Sequence, residues 1–277
     1  MSGIDFTKMH GLGNDFIVID NVSQSVSLTR EQIRFLSDRH TGVGFDQLLV
    51  VNPPSVSGAE FDYQIYNADG DEVEHCGNGA RCFARFVVDK GLTTSRSINV
   101  QTQAGLITLD LQSNGDVTVR MGLIDFKPEN IPFVAKEESL YYELEVSGDT
   151  YQVGSASIGN PHVLLQVDDI EQAEVERLGP LIESHERFPN RVNVGFMQII
   201  NRQHILLRVF ERGVGETRAC GTGACAAVAI GHHQGLLDNT VTVTLPGGDL
   251  RVSWLNKNKS IEMTGPCSTV FEGHTRM

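Results

Sequence analysis

The sequence predicts an α/β (α+β) protein of two pseudo-symmetric domains made by internal duplication. Each is expected to be a curved mixed sheet or barrel of strands around one main helix, with the active site in the interdomain cleft. Three observations carry that expectation. The chain has 277 residues, long for one core and comfortable for two domains of about 140 residues each. Five short blocks recur in the same order in its two halves. Each half also shows the same succession of strand-like runs with period-two alternation, one helical run and a closing strand pair.

The repeated blocks define the elements in order. Gly13-Asn14-Asp15-Phe16-Ile17-Val18 returns as Gly159-Asn160-Pro161-His162-Val163-Leu164, and Val43-Gly44-Phe45-Asp46-Gln47 as Val194-Gly195-Phe196-Met197-Gln198. Cys76-Gly77-Asn78-Gly79-Ala80 returns as Cys220-Gly221-Thr222-Gly223-Ala224. At the same distance upstream of each cysteine a polar residue ends a strand-like run: Asn67 after Gln64-Ile65-Tyr66, and Glu211 after Arg208-Val209-Phe210. A helix is expected after each, from Ala80 to Asp89 with Gly91 as its stop, and from Ala224 to His233 with Gly235 in that role. A strand pair follows in both copies, Leu106 to Leu111 with Val117 to Met121, and Leu250 to Trp254 with Ser260 to Met263. The offset between paired blocks varies by only a few residues over most of the chain, which a single chance match would not produce.

The segment Lys127-Pro128-Glu129-Asn130-Ile131-Pro132 is the expected crossing, since its prolines disfavour continued regular structure. It divides the chain into domains 1–121 and 122–265. Gly265-Pro266 to Val270-Phe271 resembles Gly122 to Phe126, so residues 266–277 are expected to return to the first domain.

Bulk properties exclude several functions. A net charge of −13 with no Lys/Arg cluster argues against nucleic acid and against an anionic membrane as partners. The segment Met1-Ser2-Gly3-Ile4-Asp5 has neither a basic flank nor an apolar run, and no stretch is long and apolar enough to span a membrane, so a cytoplasmic protein is expected. Five cysteines, an odd number, argue against a disulfide framework. No Cys/His spacing suggests a metal site.

The chemistry is concentrated at the two cysteine loops. Each thiol is expected at a helix N-terminus, where unpaired N–H groups and the positive dipole end lower its pKa. The flanking glycines let the backbone approach a ligand, so the same N–H groups can hold a carboxylate. One such thiolate suits a nucleophile or a base. Two, one on each wall of a pseudo-symmetric cleft, suit removal of a proton from one face of a carbon and delivery to the other. The α-proton of an amino acid is far less acidic than a thiol, so donors at the carboxylate must stabilise the carbanion-like state. Facing helix N-termini would supply them without a metal or a pyridoxal ring. Cys82, Cys225 and Cys267 lack this context and read as small buried hydrophobes. Gly11-Leu12-Gly13 lacks the third glycine of a nucleotide-binding loop.

On these residues the sequence resembles the diaminopimelate epimerase family along its whole length. The matching blocks are Lys8 to Phe16, Asn67-Ala68-Asp69-Gly70 with Cys76 to Cys82, Gly159-Asn160-Pro161-His162, Arg191 to Gly195, and Glu211-Arg212-Gly213 with Gly215-Glu216-Thr217 and Ala219 to Ala224. The resemblance implies a small-molecule substrate, interconversion of LL- and meso-diaminopimelate in bacterial lysine and peptidoglycan-precursor synthesis, no cofactor and no metal. Carried over by position, Cys76 and Cys220 resemble the acid/base thiols, and Gly77-Asn78 with Gly221-Thr222 the donors to the reacting carboxylate. Asn14, Gln47, Asn67, Asn160, Asn193, Glu211 and Arg212 resemble the remaining substrate contacts. Such a set suits a diacid with two amino groups, with Glu for an ammonium and Arg for the distal carboxylate. His162 and Glu211 resemble residues that support the thiols. The resemblance also implies a homodimer with an aromatic contact near the C-terminus, for which Phe271 is the candidate. His75 before the first thiol and Cys267, where a small residue is usual, depart from the pattern.

Taken alone, several of these residues have plainer readings. Asn14 or Asn193 would be a turn or cap residue, Arg212 a solvated charge, and Phe271 core. Gln198, the copy of Gln47, reads as structural. Three rival functions are defined well enough to be separated. Another racemase of the same fold would act on a monoacid and have no need of Arg212 or the Asn67, Asn160 and Asn193 set. A thiol redox protein would work through a reversible Cys76–Cys220 disulfide, whereas oxidation would only inactivate an epimerase. A non-enzymatic anion-binding module would leave the duplicated cysteine unexplained.

Overall fold

The computed structural model of the chain describes residues 3–73 and 76–276. Met1, Ser2 and His75, to which the sequence reading refers, lie outside the described residues. The fold is mixed α+β and rich in sheet, and it divides into two compact units, residues 1–120 with 264–277 and residues 121–263.

In the first unit, β1 (Gly3–Gly11) and β2 (Asn14–Asp20) form an antiparallel hairpin through Leu12-Gly13. Both turn residues have positive φ, and Gly13 adopts it without the cost that Leu12 bears. Helix α1 (Arg30–Ser37) follows, then β3 (Gln47–Asn52), which pairs parallel with β2, and β4 (Phe61–Asn67), antiparallel to β3. Helix α2 (Gly77–Asp89) leads to β5 (Ser97–Thr102), β6 (Gly105–Leu111) and β7 (Val117–Gly122), consecutive antiparallel neighbours. The sequence reading anticipates one main helix here and omits α1. The signal for α1 is a capping box: Thr29 Oγ1 accepts from the Gln32 N–H at 3.3 Å, and Gln32 Oε1 accepts from the Thr29 N–H at 2.8 Å.

The second unit repeats the plan. Strands β8 (Tyr142–Val146), β9 (Asp149–Ser157) and β10 (Pro161–Gln166) are antiparallel neighbours. Helix α3 (Val175–Glu183) then leads to β11 (Asn193–Asn201), parallel to β10, and to β12 (His204–Glu211), antiparallel to β11. A three-residue strand β13 (Gly215–Thr217) precedes helix α4 (Gly221–His233), followed by β14 (Thr240–Leu245), β15 (Gly248–Ser253) and β16 (Ile261–Gly265). Helix α3 contains Pro180 and has no side-chain N-cap. It forms because Val175, Leu178 and Ile182 are buried against Val194 and Phe196 of the sheet, and each such burial contributes roughly 2 kcal/mol. The last strand, β17 (Ser268–Arg276), belongs to the first unit and runs antiparallel along β1.

The main helices are buried differently from typical surface helices. Helix α2 packs on β1, β3 and β6 with Phe83, Ala84, Phe86 and Val87 buried. Helix α4 packs on β9, β10, β11 and β15, and its run Ala224–Gly231 is buried throughout. Burial on every side accounts for its apolar composition. Among the described residues, no helix is long and apolar enough to cross a membrane.

Candidate active site

In the first unit four segments converge at the start of α2. Cys76 is the N-cap, in extended conformation, and its Sγ accepts from the Gly79 N–H at 3.4 Å. The backbone of the following residues turns into the helix when the Ala80 N–H bonds the Cys76 carbonyl at 2.8 Å. Asn14 opens β2, and its Oδ1 receives both the Cys76 thiol at 3.8 Å and Asn78 Nδ2 at 3.2 Å. The other end of the Asn14 amide donates to Asp46 Oδ2 at 2.9 Å, so the orientation of the carbonyl is set from outside the loop. Gln47 and Asn67 are direct cross-strand partners, and Gln47 Nε2 donates to Asn67 Oδ1 at 2.9 Å. Gln47 Oε1 is buried and accepts no hydrogen bond among the described residues, leaving it able to accept an N–H from a ligand.

Beneath this cluster lies an ionic network. Asp15 accepts from Lys8 at 2.5 Å and from both terminal nitrogens of Arg39 at 2.9 and 2.7 Å, while Arg39 also bonds Asp46 at 2.7 Å. Lys8 also donates to the Gly44 carbonyl. Burial pushes the Asp15 carboxyl up, but the Arg39 and Lys8 hydrogen bonds outweigh it and hold the group well below the ordinary carboxylate range.

The second unit builds the equivalent constellation. Cys220 is the N-cap of α4, and its Sγ accepts from the Gly223 N–H at 3.4 Å with Thr222 Oγ1 at 3.6 Å. Asn160 Nδ2 donates to Thr222 Oγ1 at 3.3 Å, and Asn160 Oδ1 lies 3.0 Å from His162 Nε2. Glu211 at the end of β12 places its negative charge near the Cys220 thiol and receives Thr217 Oγ1 at 2.5 Å. Asn193 bridges the strands: its Nδ2 donates to the Pro161 carbonyl at 2.9 Å, and its Oδ1 accepts from the Arg212 N–H at 3.0 Å. The Arg212 side chain is exposed and donates to the Asn190 carbonyl at 3.1 Å.

The first N–H groups of each helix have no acceptor within the helix, so Gly77-Asn78 and Gly221-Thr222 present donors beside their thiols. The second glycine of each loop has a separate reason. A Cβ on Gly79 would lie 2.4 Å from Tyr63 Oη, and one on Gly223 would lie 3.0 Å from Val209 Cγ2. Helix and sheet meet too closely for a side chain, so these glycines serve packing rather than approach to an anion.

The charge states depart from the simplest expectation. A helix N-terminus alone would lower the Cys220 thiol, yet burial, and after it the Glu211 carboxylate, push it well up against the opposing Thr222 and Gly223 hydrogen bonds. Cys220 therefore rests as a protonated thiol. Burial, and then the Arg212 charge, lower His162 to about 3, so its ring is neutral at neutral and mildly acidic pH alike. Its role in the structure is a hydrogen bond that orients Asn160.

The family model described as diaminopimelate epimerase matches residues 6–127 and 154–270. The chain is also 55% identical over 272 residues to the diaminopimelate epimerase of Stutzerimonas stutzeri strain A1501, covering 98% of this chain and 99% of that one. The chain belongs to the diaminopimelate epimerase family. It is thus a member of an isomerase family. Solved structures share the fold at much lower identity. A hydroxyproline epimerase from Agrobacterium vitis, with bound trans-4-hydroxy-L-proline, superposes with a TM-score of 0.71 at 16% identity, covering 99% of this chain and 92% of that one. A PhzF-family phenazine biosynthesis protein from Bacillus anthracis does so with a TM-score of 0.69 at 17% identity, covering all of both chains.

Each unit thus gathers the residues singled out from sequence within it. Asn14, Cys76, Gly77 and Asn78 form one hydrogen-bonded group beside the Gln47–Asn67 pair; Cys220, Gly221, Thr222, Asn160, His162 and Glu211 form another beside Asn193 and Arg212. Phe271 lies elsewhere, on β17, at 46% exposure with its ring edge-on to Phe6, so its reading as core is corrected. Cys267 is corrected too: it is partly exposed, whereas Cys82 and Cys225 are buried. Gln198 accepts from the Ile170 N–H at 2.9 Å. Sequence reasoning passed over Asp46 and Thr217. Asp46 carries a signal, since the repeat-equivalent position holds the apolar Met197, and a charge present in only one copy of a duplicated loop marks a local task. Thr217 becomes visible only when β13 folds back on β12.

Proposed function

We propose that the chain interconverts LL- and meso-2,6-diaminopimelate without a cofactor, with Cys76 and Cys220 as the two acid–base groups at one α-carbon. One thiolate removes the α-proton, and the other, as a thiol, delivers a proton to the opposite face, so thiol and thiolate exchange places in each turnover. The observation that supports this reading is the twin N-cap thiol, each beside helix N–H donors and an asparagine cluster. Those donors suit the substrate carboxylate, whose growing charge must be stabilised before an α-proton becomes acidic enough to leave. The protonated resting state of Cys220 makes it the proton donor for whichever isomer presents its α-hydrogen to Cys76. Gln47, Asn67, Asn193, Glu211 and Arg212 are proposed to hold the remaining amino and carboxyl groups, with His162 positioning Asn160.

The proposal includes the setting: bacterial lysine and peptidoglycan-precursor synthesis, in the cytoplasm, by a homodimer. Exposed Val270 and Phe271 on β17 supply an apolar edge suited to a second copy.

The decisive experiment is incubation of the purified, metal-stripped protein with LL-diaminopimelate in D₂O, following the α-carbon by NMR or mass spectrometry. Deuterium at that carbon together with the meso isomer is expected. No exchange by the fully reduced protein would remove this substrate and turn attention to monoacid racemases of the same fold.

A further inference from the structure

Three of the five cysteines have no part in that chemistry, and two of them are close neighbours. Cys82 lies in the middle of α2 and is fully buried, whereas Cys267 lies in the link between β16 and β17 and is partly exposed. The Cys267 thiol donates to the Arg81 carbonyl at 3.4 Å, one residue from Cys82, and the two thiols interact. Cys267 lines a cavity of about 330 Å³ that Arg85, Asp89, Asn114, Asp116 and Thr269 share. One sulfur is therefore open to a small solute while its neighbour is sealed behind it. The electrostatics follow the same division. The interaction with Cys82, and then the Arg81 and Arg85 charges, pull the Cys267 thiol down, whereas burial pushes Cys82 up. A thiolate of this kind reacts first with an oxidant, and a thiol held against it is placed to resolve the product.

We propose that Cys267 and Cys82 form a peroxide-reactive dithiol in which Cys267 is oxidised first and Cys82 converts it to a disulfide tying α2 to the β16–β17 link. In the first step the Cys267 thiolate attacks one oxygen of hydrogen peroxide. The S–O bond forms, the O–O bond breaks, and the departing hydroxide takes up the proton that Cys267 had lost. Sulfur is oxidised and peroxide reduced, giving a sulfenic acid and water. In the second step Cys82 sulfur attacks Cys267 sulfur as its thiol proton leaves. The S–S bond forms, the S–O bond breaks, and hydroxide leaves with that proton as a second water. Two thiols and one peroxide become one disulfide and two waters.

The test uses the full-length reduced protein, exposed to stoichiometric hydrogen peroxide, alkylated, digested without reduction and analysed by mass spectrometry. A peptide pair joined through Cys82 and Cys267, lost on treatment with dithiothreitol, is expected. In Cys82→Ala the sulfenic acid at Cys267 should persist and be trapped by dimedone. In Cys267→Ala, Cys82 should stay reduced at the same peroxide dose, with turnover equal to that of the unaltered protein. Cys267 left fully alkylatable after peroxide, or joined to Cys76 rather than Cys82, would overturn the proposal. The readout is the mass assignment of a bond, so it stands or fails independently of the epimerase reading.

Discussion

The Glu211 carboxylate stands within electrostatic reach of the Cys220 thiol. Burial and that negative charge together keep the proton on sulfur, although the thiol caps a helix N-terminus. The N–H of Gly223 and the Thr222 hydroxyl oppose them and lose, because an isolated thiolate in a dry site costs more than two weak hydrogen bonds return.

Glu211→Gln removes the charge and keeps the shape. The Cys220 pKa should then fall, moving the midpoint of its alkylation by iodoacetamide to lower pH. Turnover should fall at the same time, since Glu211 is also proposed to meet the substrate. A pH profile of Cys220 labelling that does not move would mean that burial alone holds the proton.

His162 provides a pH dependence of stability. Its folded pKa of about 3 lies below the ordinary histidine value of 6.5, so the folded state binds fewer protons than the unfolded chain between those values. Stability should be intact above about pH 6.5 and fall as pH drops toward 3, by an amount on the order of a few kcal/mol. In His162→Gln, urea denaturation across this range should lack that contribution. Parallel curves for the two proteins would contradict it.

Asp46 acts on the site through Asn14. It accepts from Asn14 Nδ2 at 2.9 Å, and that bond points Asn14 Oδ1 toward the Cys76 thiol and Asn78. Asp46→Ala should lower kcat by roughly tenfold or more, as small misplacements of a catalytic group do. The half-exposed Asp46–Arg39 pair should cost less than about 1 kcal/mol of stability when lost. Steady-state kinetics beside a thermal melt would separate the two effects, and a loss of stability matching the loss of rate would argue for a structural role only.

Gly79→Ala tests the close approach of α2 to the sheet. The added Cβ would fall 2.4 Å from Tyr63 Oη, whose ring is buried. Destabilisation of about 2 kcal/mol is expected from such overpacking, measured by chemical denaturation. A neutral result would show that Tyr63 can move, and that the glycine is there for the ligand after all.

Much of the site was legible because its signals are local. A cysteine between an extended segment and an apolar helical run becomes an N-cap by backbone geometry alone, and the duplication exposes it twice. Asn14, Asn67, Asn160 and Glu211 stand at strand ends, where alternation stops and polar residues appear. Other features depend on which surfaces meet. Thr217 reaches Glu211 only across the β12–β13 pair, and Cys82 meets Cys267 only because the last strand returns to β1. Helix α1 had its capping box in plain view at Thr29 and Gln32, but its counterpart α3 has no side-chain cap, so this signal is not repeated in the second half.

The amino-acid sequence by itself determined the duplicated plan, the two N-cap thiols with their glycine loops, and the family. All of these follow from residues near one another in the chain, whose spacing and conformational preferences act before any tertiary contact forms. Only the tertiary structure decided the charge on Cys220, the neutrality of His162, the ionic support beneath Asn14 and the pairing of Cys82 with Cys267. Protonation and thiol chemistry depend on desolvation and on charges brought close by distant segments, and those quantities exist only once the chain has packed.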